Sequence, residues 1–442
     1  MSKVAMYASS LVNKTCQRSI AFLAKRCITT HNLNSLHVSA TIPTIVDVRN
    51  REEVEAEGRI EGAINYPWGT VESQPELFSA ILADLPPGNI VFHCKSGRRS
   101  KKAQEFAEKL GFHRVHTLLD LEGGFQQWKA DGFSVQAFNN NHSPWVHTIF
   151  DKDTETAQYV VTDIETREAY IIDPVLDYDP FSDTVRPEMA KRILDFVKKH
   201  NLNVTKIIDT HVHADHLTAA FYLKQQLSTN PEFCIGTDVT KVQMVFGKKY
   251  NMSNDDLRPT GEQFDHLVKE GDNWKLGQNI SCSVISTPGH TPACLSYRIG
   301  DAAFVGDTLF MPDIGTARCD FPGGSAEALY KSIHKLYQLW PDDTRIFVGH
   351  DYPPENSGRS YEVVASLGNH KKFNKMIRED VSLDQYTKLR KERDSKLRAP
   401  RYIHQSLQTN LRGGRLPEQE NSVLEKGGKS GAFFKLPVQW ED

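Results

Sequence analysis

The sequence has no CxxC pair among its seven cysteines, no apolar run of the ~18 residues a membrane span needs, and no acidic residue in its first 46 positions. Without CxxC spacing neither a zinc knuckle nor a disulfide scaffold is indicated, and a reducing compartment is the simpler assumption. Without the long apolar run no membrane partner is expected. Charge of one sign is lacking too: the formal net charge is -3, which offers no bulk electrostatic attraction to nucleic acid. What is present is the balance of a globular chain, with 39% hydrophobic and 25% charged residues over 442 positions. That length implies about two or three domains.

The acid-free opening carries Lys3, Lys14, Arg18, Lys25 and Arg26 among many Ser and Thr, with Leu11, Ile20, Phe22 and Leu23 as an apolar set. This is the composition of a mitochondrial transit peptide, cut between Cys27 and Ala40, and it predicts a location in the mitochondrial matrix. A flexible tail that happens to lack acids is the other reading. On the first, residues 1–39 stand outside the fold.

The densest chemistry is Thr210-His211-Val212-His213-Ala214-Asp215-His216, after the apolar pair Ile207-Ile208 and before a helix expected near Leu217. In an extended chain residues i and i+2 face the same side, so His211 and His213 look into one pocket as the strand ends. The turn beyond can swing Asp215 and His216 towards it. A lone His is ordinarily a satisfied polar residue, but three His and an Asp within six positions ask for a metal. Imidazole and carboxylate without thiolate suit zinc or iron.

Three later stretches repeat the device. His290 follows Thr287-Pro288-Gly289, Asp307 follows Phe304-Val305-Gly306, and His350 follows Ile346-Phe347-Val348-Gly349. Each sits just after a β-prone run, where a strand delivers it to a sheet edge. The glycine before each permits a tight backbone approach. In this order the set resembles the metallo-β-lactamase superfamily, over residues 145–355. The resemblance implies an αββα sandwich, where periodicity alone predicts only mixed α/β.

Upstream, strands Thr44 to Arg49, Asn89 to His93 and Val115 to Leu119 alternate with helical stretches Arg51 to Glu57 and Lys101 to Leu110. That alternation predicts a doubly wound parallel sheet. Cys94-Lys95-Ser96-Gly97-Arg98-Arg99-Ser100 joins a strand to a helix. A Cys there lies among free backbone N–H groups with Arg98 and Arg99 nearby, and both favour the thiolate. The phosphatase pattern Cys-x5-Arg needs an arginine where Ser100 stands. A buried, inert Cys is the bland alternative. Asp47-Val48-Arg49, the Gly58 to Asn65 segment, the Cys94 loop and Gly123-Gly124 followed by Trp128 resemble the rhodanese family, over residues 40–137. The resemblance implies a sulfurtransferase carrying a persulfide on Cys94, with Arg98 and Arg99 in its loop. Arg59 stands where that family commonly has His. Residues 138–144, with three Asn in a row, read as a linker.

Ala317-Arg318-Cys319-Asp320-Phe321 and His350-Asp351-Tyr352 resemble the persulfide dioxygenase family, which oxidises glutathione persulfide with O2 to sulfite and glutathione. That resemblance implies one Fe(II) per chain on His211, His290 and Asp307, a facial triad with positions left open. His213, Asp215, His216 and His350 then surround the iron or mark a second metal position, and Arg318 and Tyr352 hold glutathione. Cys319 departs from the family's usual Thr, and the rhodanese module comes first where fused versions more often place it last. Residues 356–442 read as a helical extension and loose tail, the basic run from Lys371 to Arg398 being a solvated face. Two alternatives stand beside this reading: a glyoxalase II-like hydroxyacylglutathione thioesterase with a dinuclear zinc site, and a non-catalytic sulfur carrier. Arg318 to Phe321 and the attached rhodanese module favour the dioxygenase. Sulfite or thiosulfate are then the further partners, with the direction of sulfur transfer and homo-oligomerisation left open.

Overall fold

The computed structural model describes residues 26–37, 43–137, 142–254, 256–354, 357–417 and 433–437. The chain divides into two compact units, Met1–Ser143 and Pro144–Asp442. Most of the expected transit peptide, residues 1–25, lies outside the described residues, as do residues 138–141 of the expected linker. Among the described residues no helix is long and apolar enough to cross a membrane.

The first unit is a five-stranded parallel sheet in the order Cys27–Ile28, His116–Leu121, Gly88–His93, Thr44–Asp47, Ile64–Asn65. Helices such as Arg51–Glu57 and Arg98–Lys109 make the crossovers that parallel strands require. Gly97, at φ 90, turns the chain from the Cys94 loop into the second of these, a conformation other residues reach only with strain.

The fold starts earlier than residue 40. Cys27–Ile28 pairs in register with Asp120 and Leu121, and helix Thr30–His37 follows it. Ile28 and Leu33 are buried in one cluster with Ile45, Val91, Leu119, Phe125 and Trp128. A cut between Cys27 and Ala40 would strip an edge strand from the sheet. A two-residue strand and an eight-residue helix leave little periodicity to read, and the acid-free composition before them conceals the boundary.

The second unit holds two six-stranded sheets. One runs His266–Val268, Glu232–Gly236, Asn203–Ile208, Glu168–Ile172, Thr156–Thr162, Trp145–Asp151. The other runs Asn273–Leu276, Ile280–Ser286, Leu295–Ile299, Ala302–Phe304, Arg345–Phe347, Val364–Ser366. Tyr159, Tyr170 and Ile208 of the first meet Val284, Tyr297 and Phe304 of the second in one buried cluster. Helix Ala326–Leu339 packs Leu329, Ile333 and Leu336 against Ile346 and Val348 of the second sheet. Helix Glu188–Lys199 turns Met189, Ile193, Phe196 and Val197 inward at helical spacing. The architecture is the metallo-β-lactamase sandwich after a rhodanese-like sheet. Near Leu217 the chain first forms the short strand Leu217–Thr218, and the helix begins only at Ala220.

The segment after residue 355 is part of this second fold. Val364–Ser366 completes a sheet, and helix Ile403–Asn410 ends on a side chain that holds the histidine loop. Asn410 Nδ2 donates to the carbonyls of His213 at 2.9 Å and His216 at 2.8 Å, and its Oδ1 accepts from Thr218 N at 2.8 Å. Nor is the basic run all solvated face: Arg390 is 1% exposed and donates to Asp394 at 2.6 Å. A charge paired four residues away is indistinguishable in sequence from one paired with water.

The early start of the first fold is testable. Leu33→Ala should destabilise the first unit by about 2–5 kcal/mol, the range for emptying a buried leucine site. In a denaturant melt its transition should move to lower concentration. An unmoved transition would show that the segment before residue 40 contributes nothing.

Candidate metal centre and cysteine loop

Four strand ends deliver the metal-type side chains. Asn203–Ile208 leads into the loop that carries His211, His213, Asp215 and His216. His290 lies in the connection between Ile280–Ser286 and Leu295–Ile299. Strands Ala302–Phe304 and Arg345–Phe347 run parallel with Phe304 opposite Phe347, so Asp307 and His350 emerge side by side three residues later. Gly349 makes this approach possible, since a Cβ there would stand 2.6 Å from Asp307 Oδ1.

The ligand atoms of His211, His290 and Asp307 lie within 4.8 Å of one another, and so do those of His213, Asp215 and His216. His350 Nε2 joins the two groups, 3.4 Å from both Asp215 Oδ2 and Asp307 Oδ1. All the metal-type positions singled out in the sequence thus meet in one cluster, buried except for half-buried Asp215.

The cluster fits a cation. His211 Nε2, His213 Nδ1, His216 Nε2 and Asp307 Oδ1 are buried and have no hydrogen-bond partner. The other nitrogen of each ring is engaged. His290 Nδ1 donates to the Arg318 carbonyl at 2.8 Å and His350 Nδ1 to that of Glu155 at 3.0 Å, which leaves each Nε2 facing inward. His213 Nε2 sits 3.0 Å from Asp173 Oδ1, and His216 Nδ1 2.7 Å from Asp215 Oδ2. His211 Nδ1 lies 3.1 Å from Thr210 Oγ1, whose hydroxyl donates in turn to Asp173 Oδ2 at 2.8 Å. Such outer contacts orient metal-binding histidines. Burial first, and neighbouring imidazoles second, push His211 and His213 well below the ordinary histidine value. Both are neutral, the form that binds a divalent ion.

Asp173, which anchors this loop, carries no signal of its own in the sequence beyond closing the apolar run before it. That run, Glu168–Ile172, hands over an acid just as the other strands hand over ligands.

A cavity of about 560 Å3 opens on His290, Asp307 and His350, with Phe310, Ile314, Phe321 and Leu397 as apolar wall. Tyr352 lines it and stacks on His350 with ring centroids 5.7 Å apart. Although 37% of Tyr352 is exposed, burial around its hydroxyl, then Asp307, pushes its pKa well up and keeps the proton on. Arg318, the expected glutathione contact, also lines the cavity, and three of its guanidinium donors are engaged within the protein. Nε and Nη2 each donate to Asp320 at 2.6 Å and Nη1 to the Arg398 carbonyl at 2.6 Å. The carboxylate two positions along the chain captures it in paired hydrogen bonds. What Arg318 gives the site is its carbonyl, on His290.

In the first unit Cys94 is buried at the end of strand Gly88–His93, with Ser100 Oγ donating to its sulfur at 3.4 Å. Burial raises the thiol pKa, but hydrogen bonds from Ser100, side chain and backbone, and from the Ser96 and Arg99 backbones outweigh it, and the net shift is downward. Arg99 forks onto Glu53 at 2.6 and 2.7 Å and also acts on Cys94, so its pKa rises, chiefly through Glu53. Arg98 is exposed. The other buried cysteines differ: burial drives Cys234, Cys282 and Cys294 up to about 12. Ser100, whose identity excludes the phosphatase pattern, is here the thiolate's partner. Arg59 is packed in place, its Nε donating to Gln136 Oε1 at 3.0 Å.

Residues 31–131 match the rhodanese-like domain and residues 167–350 the metallo-beta-lactamase superfamily. The chain is 41% identical over 373 residues to the beta-lactamase hydrolase-like protein of Agrobacterium fabrum, covering 83% of this chain and 82% of that one. It is 38% identical over 290 residues to the Dictyostelium discoideum protein named glyoxylase B2, covering 65% and 94% respectively. It is 31% identical over 206 residues to the Homo sapiens protein named persulfide dioxygenase ETHE1, mitochondrial, covering 46% of this chain and 67% of that one. A cysteine loop on a parallel sheet, a buried histidine cluster at the strand ends of two others and identity along most of the chain agree on one assignment: this chain belongs to the beta-lactamase hydrolase-like proteins, a rhodanese-like domain followed by a metal-binding metallo-β-lactamase domain.

Proposed function

We propose that the second unit oxidises glutathione persulfide, with O2 and water, to glutathione and sulfite at a mononuclear iron site, and that the first unit transfers sulfane sulfur through Cys94. The observation that carries this reading is the His211, His290 and Asp307 set, whose ligand atoms gather within 4.8 Å as two imidazoles and one carboxylate. Ferrous iron in such a set supplies the electron chemistry that O2 needs, with positions left open for substrate. Around it Thr210 and the Arg318 carbonyl orient the imidazoles. Phe310 and Phe321 give the cavity an apolar wall, and Tyr352 offers a protonated hydroxyl beside them.

In the first unit the Cys94 thiolate attacks the outer sulfur of thiosulfate and displaces sulfite, leaving a persulfide on Cys94. The N–H groups of Ser96, Arg99 and Ser100 hold the negative charge on sulfur. Glutathione thiolate then takes that sulfur to make glutathione persulfide, or sulfite takes it in the reverse sense to make thiosulfate. The acid-free, basic opening of the chain supports a mitochondrial matrix location.

A thioesterase acting on glutathione thioesters is the second reading. It is favoured by the adjacent His213, Asp215 and His216 set, by His350 between the two groups, and by similarity to the protein named glyoxylase B2.

Metal analysis with activity separates the readings. The purified chain should hold one iron and consume O2 with glutathione persulfide, and His290→Ala should lose both. Two zinc ions with hydrolysis of glutathione thioesters would replace the first reading by the second. Neither metal nor activity would leave a sulfur carrier.

The Cys94 loop has its own test. The ultraviolet absorbance of thiolate, wild type minus Cys94→Ser, should appear below the pH of an ordinary cysteine, about 8.5. Ser100→Ala should move that midpoint upward, because it removes a donor that favours the charged form. Cys94→Ser should keep O2 uptake with supplied glutathione persulfide and lose sulfur transfer from thiosulfate. Unchanged transfer would reduce the first unit to a docking module.

A further inference from the structure

Two cations on the wall of the metal cavity have no carboxylate of their own. Lys375, just beyond helix Leu367–Phe373, and Arg393, in helix Leu383–Asp394, both line it. The neighbouring acids each hold another partner: Asp320 has Arg318, Asp313 has Arg359, Asp394 has Arg390 and Asp153 has Arg401. Arg393 donates to the Ile314 carbonyl at 3.2 Å and touches the Met376 sulfur at 3.8 Å, neither of which neutralises it. Lys375 has no ion pair among the described residues. Both cations are held below their ordinary pKa by burial first and a like charge second, Arg393 acting on Lys375 and Arg390 on Arg393, with Asp313 and Asp394 only partly offsetting this. Like charges whose nearest carboxylates are already shared with other cations favour the approach of an anion.

The cavity is therefore polarised. One end presents the inward-facing His290 and Asp307, part of the wall is apolar, and Lys375 and Arg393 line it as well. At about 560 Å3 it falls among pockets that take a drug-sized molecule, ~300–1,000 Å3, and is far larger than a bare inorganic persulfide requires.

We infer that Lys375 and Arg393 form the anion-recognising end of this cavity, so that the segment after residue 355, and not the Arg318 guanidinium, selects a carboxylate-bearing thiol derivative over a neutral or inorganic one. The inference rests on the reading that an organosulfur substrate meets the metal here, and it holds for oxidation and for thioester hydrolysis alike. Lys375 is exposed, so its ammonium can pair with a carboxylate and still be reached from solvent. Arg393, tied to the Ile314 carbonyl, supplies the fixed half of the pair.

Calorimetric titration of the full-length chain with S-methylglutathione, and with its diethyl ester, tests this without turnover. The free acid should bind about tenfold or more tightly than the ester, the range for a charge-assisted contact. Lys375→Glu should abolish that preference and Lys375→Arg should retain it. Arg318→Ala should change it less than about threefold, since that side chain is already paired. In turnover, Lys375→Glu should raise KM and leave kcat at saturation unchanged. Equal binding of acid and ester, or an unaltered preference in Lys375→Glu, would overturn the inference while O2 uptake kept the dioxygenase reading. Lost preference in Lys375→Glu, in a protein that neither consumes O2 nor hydrolyses thioesters, would uphold the inference and remove the proposed reactions.

Discussion

Burying imidazole and carboxylate without partners is the constraint on which the second unit turns. Each unpaired buried acceptor costs about 1–3 kcal/mol, and His211, His213, His216 and Asp307 each expose one to the interior. The fold gathers these four atoms at one point and makes it rigid. Asp173 fixes Thr210 and His213, Asn410 ties the carbonyls of His213 and His216, and the Arg318 and Glu155 carbonyls set the tautomers of His290 and His350. A divalent ion relieves the penalty, so metal affinity and stability of this region are the same quantity.

The first unit meets a related problem with the opposite sign. A buried thiol resists ionisation, as Cys282 and Cys294 do. At Cys94 the backbone N–H groups of a loop entering a helix, with the Ser100 hydroxyl, reverse that preference. The arginine beside it is held by Glu53, which keeps a guanidinium near the sulfur without letting it wander. Local N–H density in one unit and a cation in the other serve one purpose, to make a low-dielectric pocket hospitable to charge.

The chain after residue 355 does more than cover the second sheet. It supplies the edge strand Val364–Ser366, the Asn410 clamp on the histidine loop, and the two cations left over at the cavity rim. Structure and selectivity of the metal centre therefore share one segment. Changes there are expected to move both together unless they are confined to exposed positions such as Lys375.

The order of the metal motif, the His-x-His spacing at a strand end and the Cys94 loop were legible because each depends on neighbours along the chain, where period and turn chemistry are written directly. The charged helix Arg51–Glu57 and the strands Thr44–Asp47 and Gly88–His93 were readable for the same reason. The start of the first fold, the partners of Arg318 and Arg99, the roles of Asp173 and Ser100, and the place of Asn410 were decided by tertiary structure. Asn410 lies 194 positions from His216 and Arg99 lies 46 from Glu53, and no local rule links such pairs. Residue type sets what a side chain can bond. Which of its possible partners arrives first, water, a neighbour two residues on or a helix from the far end of the chain, is set by how the sheets and helices pack.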